Sequence, residues 1–435
     1  MRISVVTAWF PYGDDTVSGI FVLENIRAIR AAGHEVIAVH TLIKHTHFIP
    51  HFRIYREVFR DIPVIRIVLV MPIWLSKFKS IIRNVVQISN NHVSIIIGRK
   101  CLSCNTEIMP ARVRTASSLF QRFFETFFSF ALVKLLRGSD IVHAYVAFPS
   151  GVAAARAASR LKIPFIYTEV ASDLGIVYGL KSEGKRCDSL AKKLQKMIDK
   201  ADLFIAVSKD EFQQYESIGI VIPKDRREVI HTIFDERLFY LKEPIKQVRE
   251  SMSRVQAVFC GILSPKEQKG MQVLIPAVAQ LPEAVRSRLK IKVIGYGEML
   301  EKYKTQTKEL GLSDHFAFLG RCDLAEIGKI MMESDFFLIP SLHEGMPCVL
   351  IEALACGLPV VGSQVGGIGE LVDDSIGILV KPGNDILLAE GIERMINSPS
   401  IWDRRAIANR VVRSSYFGYG EHITGRYSKI LLSKQ

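Results

Sequence analysis

The chain has 435 residues, 49% of them apolar, and a formal net charge of +13. That length allows two domains of ordinary size with a sizeable core, and the charge calls for an anionic partner: nucleic acid, an anionic membrane surface or a phosphorylated substrate. Seven scattered, odd-numbered cysteines argue for reduced thiols rather than a disulfide framework. No apolar run reaches the ~18–20 residues that span a bilayer.

In chain order, Met1-Arg2-Ile3-Ser4-Val5-Val6 runs straight into a short apolar strand, Ile3–Thr7, without the pattern of a signal peptide. A turn-rich loop, Trp9–Gly19, leads to an amphipathic helix, Phe21–Ala32, ended by Gly33, and then to a strand, Val36–His40. A glycine-bearing loop before a helix could receive a phosphate, but GxGxxG is absent, so this is no dinucleotide fingerprint.

Residues 44–125 differ in character. Thirteen Lys/Arg stand against four acids, a net +9, interleaved with Phe48, Phe52, Tyr55, Phe59, Trp74 and Phe78. A helix over Lys77–Ile88 would put Phe78, Ile81, Ile82, Val85 and Val86 on one face and cations on the other. That pattern suits an anionic membrane surface, or a helix packed on a sheet with its charges solvated. Cys101 and Cys104 form one CxxC without a second ligand pair, so no metal is expected. Leu119–Leu136 reads as a helix whose Phe120, Phe123, Phe124, Phe127 and Phe128 recur at helical spacing, a core or groove-wall stripe.

From Asp140 strands and helices alternate: strand Ile141–Tyr145, helix Ser150–Leu161, strand Phe165–Thr168, helix Leu190–Ala201, strand Leu203–Val207 and helix Lys209–Ile218. A domain boundary is expected at Ile220–Arg227, which holds Pro223 and a run of charges. The alternation restarts with Ala257–Gly261, Met271–Leu281, Leu289–Ile294 and Phe316–Leu319. It leads to Leu338–Val372, a strand–loop–helix–strand–loop unit. Phe336–Pro340 delivers Glu344 onto a loop at the carboxyl end of a strand, where open α/β sheets bind ligands. A helix over Pro347–Cys356 would then place Glu352 roughly 7.5 Å along its axis from the start. Two carboxylates beside a helix N-terminus suit a ligand with hydroxyls at two places and a phosphate between them. The alternation in both halves predicts an α/β protein of two Rossmann-like domains. A final helix is expected over Glu421–Leu432.

These residues resemble family 4 of the retaining glycosyltransferases, with the GT-B architecture of two Rossmann-like domains facing across a cleft. The resemblance rests on Glu344-Gly345 with Pro347, Glu352 eight positions on, Ala353, Ala355, Gly357 and Pro359-Val360-Val361, then Gly366-Gly367 and Glu370. Asp335, Pro340-Ser341, Gly295 with Gly297, Gly320-Arg321, Gly261 and Lys269-Gly270 add to it. The first half matches more loosely, at Phe10-Pro11, Gly19, Gly33-His34, Val36, Asp140, His143, Pro149-Ser150-Gly151 and Val207-Ser208.

The resemblance implies an acceptor-side domain over 1–220, with a basic insertion at about 44–118. It implies a nucleotide-sugar-binding domain over 224–415 and a helix, 416–435, returning to the first. It implies a hexosyltransferase that uses a UDP- or GDP-sugar, retains configuration at the anomeric carbon, and needs no metal or cofactor. Glu344 would contact donor-sugar hydroxyls and Lys269 would neutralise the departing diphosphate, the catalytic pair. Glu352 would accept from the ribose hydroxyls. Gly345, Met346, Pro347, Cys348 and Val349 would cradle the phosphates, and Gly19, Gly261, Gly366 and Gly367 would let backbone approach the donor. His143, near a strand end, reads equally as a structural core histidine or an acceptor-side group, and Glu169 and Asp173 fall on the acceptor side. The expected partners are the donor, a lipid-linked or glycan acceptor, and a peripheral contact at the inner face of the cell membrane, in surface polysaccharide or glycolipid assembly. Nucleic acid is set aside because no recognition module is present.

The family pattern is broken at three points. Ile262 stands where an arginine usually helps the lysine, so that cation is missing or comes from elsewhere, Lys266 being a candidate. Val170 falls where a histidine near the reacting sugar is usual. His231-Thr232-Ile233-Phe234-Asp235 replaces a Pro-Asn-Gly-Val-Asp run. The first two changes raise an alternative, a weakly active or inactive relative that binds donor or acts as a scaffold.

Overall fold

A computed structural model describes residues 1–7, 20–46, 51–72, 87–89, 92–97, 100–105, 118–169, 188–243, 254–398 and 401–434. The chain forms two compact units. The first is Met1–Val207 with Glu211–Ile230 and Tyr419–Gln435; the second is Ser208–Asp210 with His231–Gly418.

In the first unit, β1 (Arg2–Thr7), α1 (Ile20–Ala31), β2 (Glu35–Thr46), β3 (His51–Phe59) and β4 (Ile62–Pro72) lead to three short strands, β5 (Gln87–Ser89), β6 (His92–Ile97) and β7 (Lys100–Asn105). Then follow α2 (Ser118–Leu135), β8 (Ile141–Tyr145), α3 (Val152–Leu161), β9 (Phe165–Thr168), α4 (Asp188–Ile198), β10 (Leu203–Ala206), α5 (Lys209–Ser217) and β11 (Arg227–Val229). The main sheet has the order β11-β10-β9-β8-β1-β2-β4-β3, and β5–β7 make a separate antiparallel sheet. The central strands are short apolar runs because helices cover both faces of a parallel sheet; Ile3, Val5 and Val6 are fully buried. α3 packs closely on the sheet through Ala153, Ala154, Ala157 and Ala158.

Three expectations change here. Residues 51–72 are expected within an insertion, yet β4 pairs in parallel with β2 along nine residues and β3 returns antiparallel to it. They extend the sheet, because Val64, Ile65 and Ile67 bury themselves as any sheet strand does. The two-residue turn between β3 and β4, Arg60-Asp61, has positive φ at both positions, the geometry that matches strand twist in a tight hairpin. The expected helix over Lys77–Ile88 lies mostly outside the described residues; its end at 87–88 belongs to β5. The boundary also falls later than 220–224. Arg227–Val229 pairs in parallel with β10, which holds it in the first unit until Ile230.

The final helix starts at Tyr416, earlier than its apolar pattern suggested, and ends at Leu432. From Tyr419 onward it belongs to the first unit. A Cβ on Gly420 would come within 2.5 Å of the Ala28 carbonyl oxygen, so glycine permits its close approach to α1.

The second unit alternates β12 (Val255–Cys260), α6 (Met271–Gln280), β13 (Leu289–Ile294), α7 (Leu300–Glu309), β14 (Phe316–Gly320), α8 (Leu324–Glu333), β15 (Phe336–Ile339), α9 (Cys348–Ala355), β16 (Val360–Ser363), β17 (Gly377–Val380), α10 (Asp385–Asn397) and α11 (Arg404–Asn409). All six strands are parallel, in the order β14-β13-β12-β15-β16-β17. Helix starts follow the sequence: Asp323 and Glu326 form a capping box on α8, and Asn384 caps α10. Successive strands after β12 step outward on one side, whereas β15 to β17 step outward on the other. The order reverses between β12 and β15, the place at which open α/β sheets bind ligands.

Candidate active site

The loop after β12 carries Lys269 and the loop after β15 carries Glu344, so both meet at the reversal point of the second sheet. Lys269 Nζ donates to Glu344 Oε1 at 2.8 Å. Ser341 Oγ donates to the same oxygen at 2.7 Å. The Glu344 side chain is only 9% exposed and that of Lys269 30%, which makes this a sheltered pair rather than a surface one. Two backbone contacts fix the loops to each other. Leu342 N–H donates to the Gln268 carbonyl at 2.7 Å, and Gly270, at φ +75°, lies so near Pro340 that a Cβ would stand 1.9 Å from its carbonyl oxygen. Gly261 acts similarly: a Cβ there would press on Lys269 Cγ at 3.0 Å, so the lysine stem lies across the glycine.

Behind Glu344 lies the Gly366-Gly367 loop. Gly366, at φ +49°, would carry a Cβ 2.0 Å from the Glu344 carbonyl oxygen, and Gly367 N–H donates to the Gly345 carbonyl at 2.6 Å. These glycines allow one loop to buttress the other. Met346 and Pro347 are buried beside them, while Gly345 and Val349 are half-buried and Cys348 is exposed. Pro347 occupies the N-cap of α9, one position before the first helical residue, and no side chain caps this end. The first-turn N–H groups of Cys348 and Val349 are thus left for an anion.

Glu352 sits one turn further along α9, 9% exposed. Burial raises its carboxyl to about 7. It lies among thiols rather than cations: burial first, and then the charge of Glu352, push Cys260 and Cys356 up to about 12. A carboxylate in such surroundings gains most from hydroxyl donors supplied by a ligand. At the far end of α9, buried Arg404 donates to the carbonyls of Gly357, at 3.1 Å, and Cys356, at 3.4 Å, placing a cation at the negative end of the helix dipole.

Residues 242–411 match the family Glycosyl transferases group 1, and residues 105–238 match Glycosyltransferase Family 4. The chain is a family-4-like glycosyltransferase. It is 29% identical over 265 residues to an uncharacterised glycosyltransferase of Methanocaldococcus jannaschii, covering 61% of this chain and 67% of that one. It is 25% identical over 296 residues to the N-acetyl-alpha-D-glucosaminyl L-malate synthase of Bacillus anthracis, covering 67% and 74%. Among solved structures, sucrose-phosphate synthase from Thermosynechococcus elongatus superposes with a TM-score of 0.66 at 18% identity, covering 99% of each chain. HepE of Anabaena in complex with UDP superposes with a TM-score of 0.65 at 19% identity, covering 99% of this chain and 100% of that one. These similarities establish the GT-B fold.

In this glycosyltransferase the residues expected on the acceptor side fall otherwise. His143 is fully buried on β8, and both ring nitrogens are engaged: Nδ1 with Tyr427 Oη at 2.6 Å, Nε2 with Thr168 Oγ1 at 2.7 Å. Burial lowers it to about 3, so it stays neutral and ties the sheet to the final helix instead of meeting a ligand. Glu169 is also fully buried, accepting from the hydroxyls of Tyr167, at 2.8 Å, and Tyr215. His143 lies on β8 and Glu169 directly follows β9, both central strands of the first sheet. Gly19, Val170 and Asp173 lie outside the described residues. Ile262 is 37% exposed at the mouth of the β12 loop, a neutral side chain where the family carries a cation. Glu370 accepts the backbone N–H groups of Lys209 and Asp210 at 2.9 and 3.0 Å. Sequence reasoning matched Ser341 to the family without giving it a task. Its signal was a hydroxyl three residues before Glu344.

Proposed function

We propose that this glycosyltransferase holds a nucleoside-diphosphate sugar, UDP- or GDP-linked, in its second unit. It would transfer a hexose with retention to a lipid-linked or glycan acceptor of surface polysaccharide or glycolipid assembly. The observation that carries the reading is the sheltered Lys269–Glu344 pair at the reversal point of the second sheet, beside the uncapped end of α9. In the reaction the bond between the anomeric carbon and the diphosphate oxygen breaks, the acceptor oxygen forms the new one, and the acceptor's proton leaves with the released diphosphate. Negative charge grows on the leaving diphosphate. Lys269 and the N–H groups at Met346 to Val349, Pro347 excepted, are the groups suited to meet it, without calling on a metal. Glu344 would take hydroxyls of the donor sugar and Glu352 those of the ribose. The HepE structures with UDP and with UDP-glucose, on the same fold, favour this class of donor. The teichuronic acid relative of Bacillus subtilis, 29% identical over 265 residues, favours a surface-polymer setting. Among the described residues no helix is long and apolar enough to cross a membrane; a peripheral contact through the basic region, at the inner face of the cell membrane, would bring a lipid-linked acceptor to the enzyme.

The test is a mass-spectrometric screen of UDP- and GDP-sugars against membrane lipid extracts. The expected result is one glycosylated lipid with release of nucleoside diphosphate, abolished in Glu344→Gln and Lys269→Ala. Turnover unchanged in Glu344→Gln would refute the site. Nucleotide binding without turnover on any donor would favour a scaffold role, which the neutral Ile262 makes worth testing.

A further inference from the structure

Glu344 Oε1 receives two donors, Ser341 Oγ and Lys269 Nζ, while among the described residues no hydrogen bond reaches Oε2. The two donors differ in freedom. Lys269 ends a flexible four-carbon stem whose side chain is 30% exposed. Ser341 is 1% exposed and follows Pro340 at the end of β15. Its neighbours are pinned on both sides, Pro340 against Gly270 and Leu342 by its bond to Gln268. A lysine that must neutralise a growing diphosphate charge cannot hold Glu344 with undiminished strength at the same moment. The rigid hydroxyl can.

We propose that Ser341 is a positioning residue: it fixes Oε1 of Glu344 when Lys269 turns to the diphosphate, so that Oε2 stays aimed at the donor sugar. This rests on the reading of Glu344 as the group that meets the sugar. Its removal therefore loosens the aim of Glu344.

The experiment compares wild type, Ser341→Ala, Ser341→Thr and Glu344→Gln, measuring kcat and KM for the nucleotide sugar, affinity for the nucleoside diphosphate alone and the melting temperature. Ser341→Ala is expected to lower kcat/KM by about tenfold, the scale of one charge-assisted hydrogen bond. Affinity for the sugar-free diphosphate and the melting temperature should hold. Ser341→Thr, which keeps the hydroxyl, should recover most of the loss. Wild-type kinetics in Ser341→Ala overturn the proposal. So does an equal loss in both serine variants accompanied by lost diphosphate binding, since the residue is then only part of the scaffold. Glu344→Gln separates this inference from the reading beneath it. If that variant is impaired and Ser341→Ala is normal, only the positioning role falls; if Glu344→Gln is normal, the site reading falls first.

Discussion

Glu352 is the residue whose surroundings most constrain its chemistry. Its carboxyl is raised by burial to about 7, above the ordinary carboxylate value of 4.5. Between those two values the folded chain holds a proton that the unfolded chain has lost, so this group's contribution to stability falls as pH rises from about 4.5 to about 7. The penalty is complete above that window, about 3 kcal/mol at most. Glu352→Gln should therefore melt higher than wild type at pH 8, and the gap should close as pH falls toward 4.5. Melting curves across that range check this; a gap that widens on acidification would contradict it. The same variant should weaken nucleoside-diphosphate binding at pH 8, because the amide offers the ribose one acceptor oxygen in place of two. At His143 the polarity is reversed. Tyr427→Phe would leave a fully buried ring nitrogen unpaired, a loss of about 1–3 kcal/mol read by denaturant unfolding.

Elements matter here through the glycines that let them touch. Gly270 and Gly366 both have positive φ, and each would set a Cβ within about 2 Å of a neighbouring carbonyl oxygen. Replacement by alanine must move the Lys269 loop off Pro340, or the Gly366 loop off Glu344. We expect Gly366→Ala to cost about 1–3 kcal/mol in stability and at least tenfold in turnover, with diphosphate affinity less affected. Urea unfolding and initial rates on one preparation separate the two losses. By contrast α9 owes its place to both ends: the uncapped first turn at Cys348 and the Arg404 guanidinium on its last carbonyls. The repeated Gly and Pro punctuation made these elements legible in sequence, since Gly357, at φ +71°, ends α9 and Pro359 prevents its continuation. The β3–β4 hairpin was not legible, because its turn is Arg-Asp rather than a glycine or asparagine pair and its charges disguised a sheet edge.

For the whole molecule, the two units have different debts to the chain ends. The first is completed by Tyr419–Gln435, whose Tyr419 and Tyr427 hydroxyls meet Tyr145 and His143. Truncation after Gly418 should leave those buried groups without partners and give insoluble protein or a collapsed near-UV dichroism signal. The second unit contains the whole described candidate site. Saturating nucleoside diphosphate should raise the melting temperature by mass action, about 2.7 kcal/mol of stabilisation at a hundredfold excess over Kd. Lysine 269 to alanine should remove most of that shift.

The sequence by itself determined that strands and helices alternate in two α/β units, and it pointed to Glu344, Glu352 and Lys269 as candidates for one site. Apolar period, glycine, proline and motif spacing are local properties of a chain, so they can be read along it. Tertiary structure alone decided which groups are sheltered. It buried His143 and Glu169 beside tyrosine hydroxyls. It turned the Gly366-Gly367 pair into a buttress, and brought the β12 and β15 loops together so that Ser341 and Lys269 share one oxygen of Glu344. Those contacts join residues 75 positions apart in one case and three in the other, and no periodicity encodes them. They exist because the strand order reverses between β12 and β15, a property of the assembled sheet.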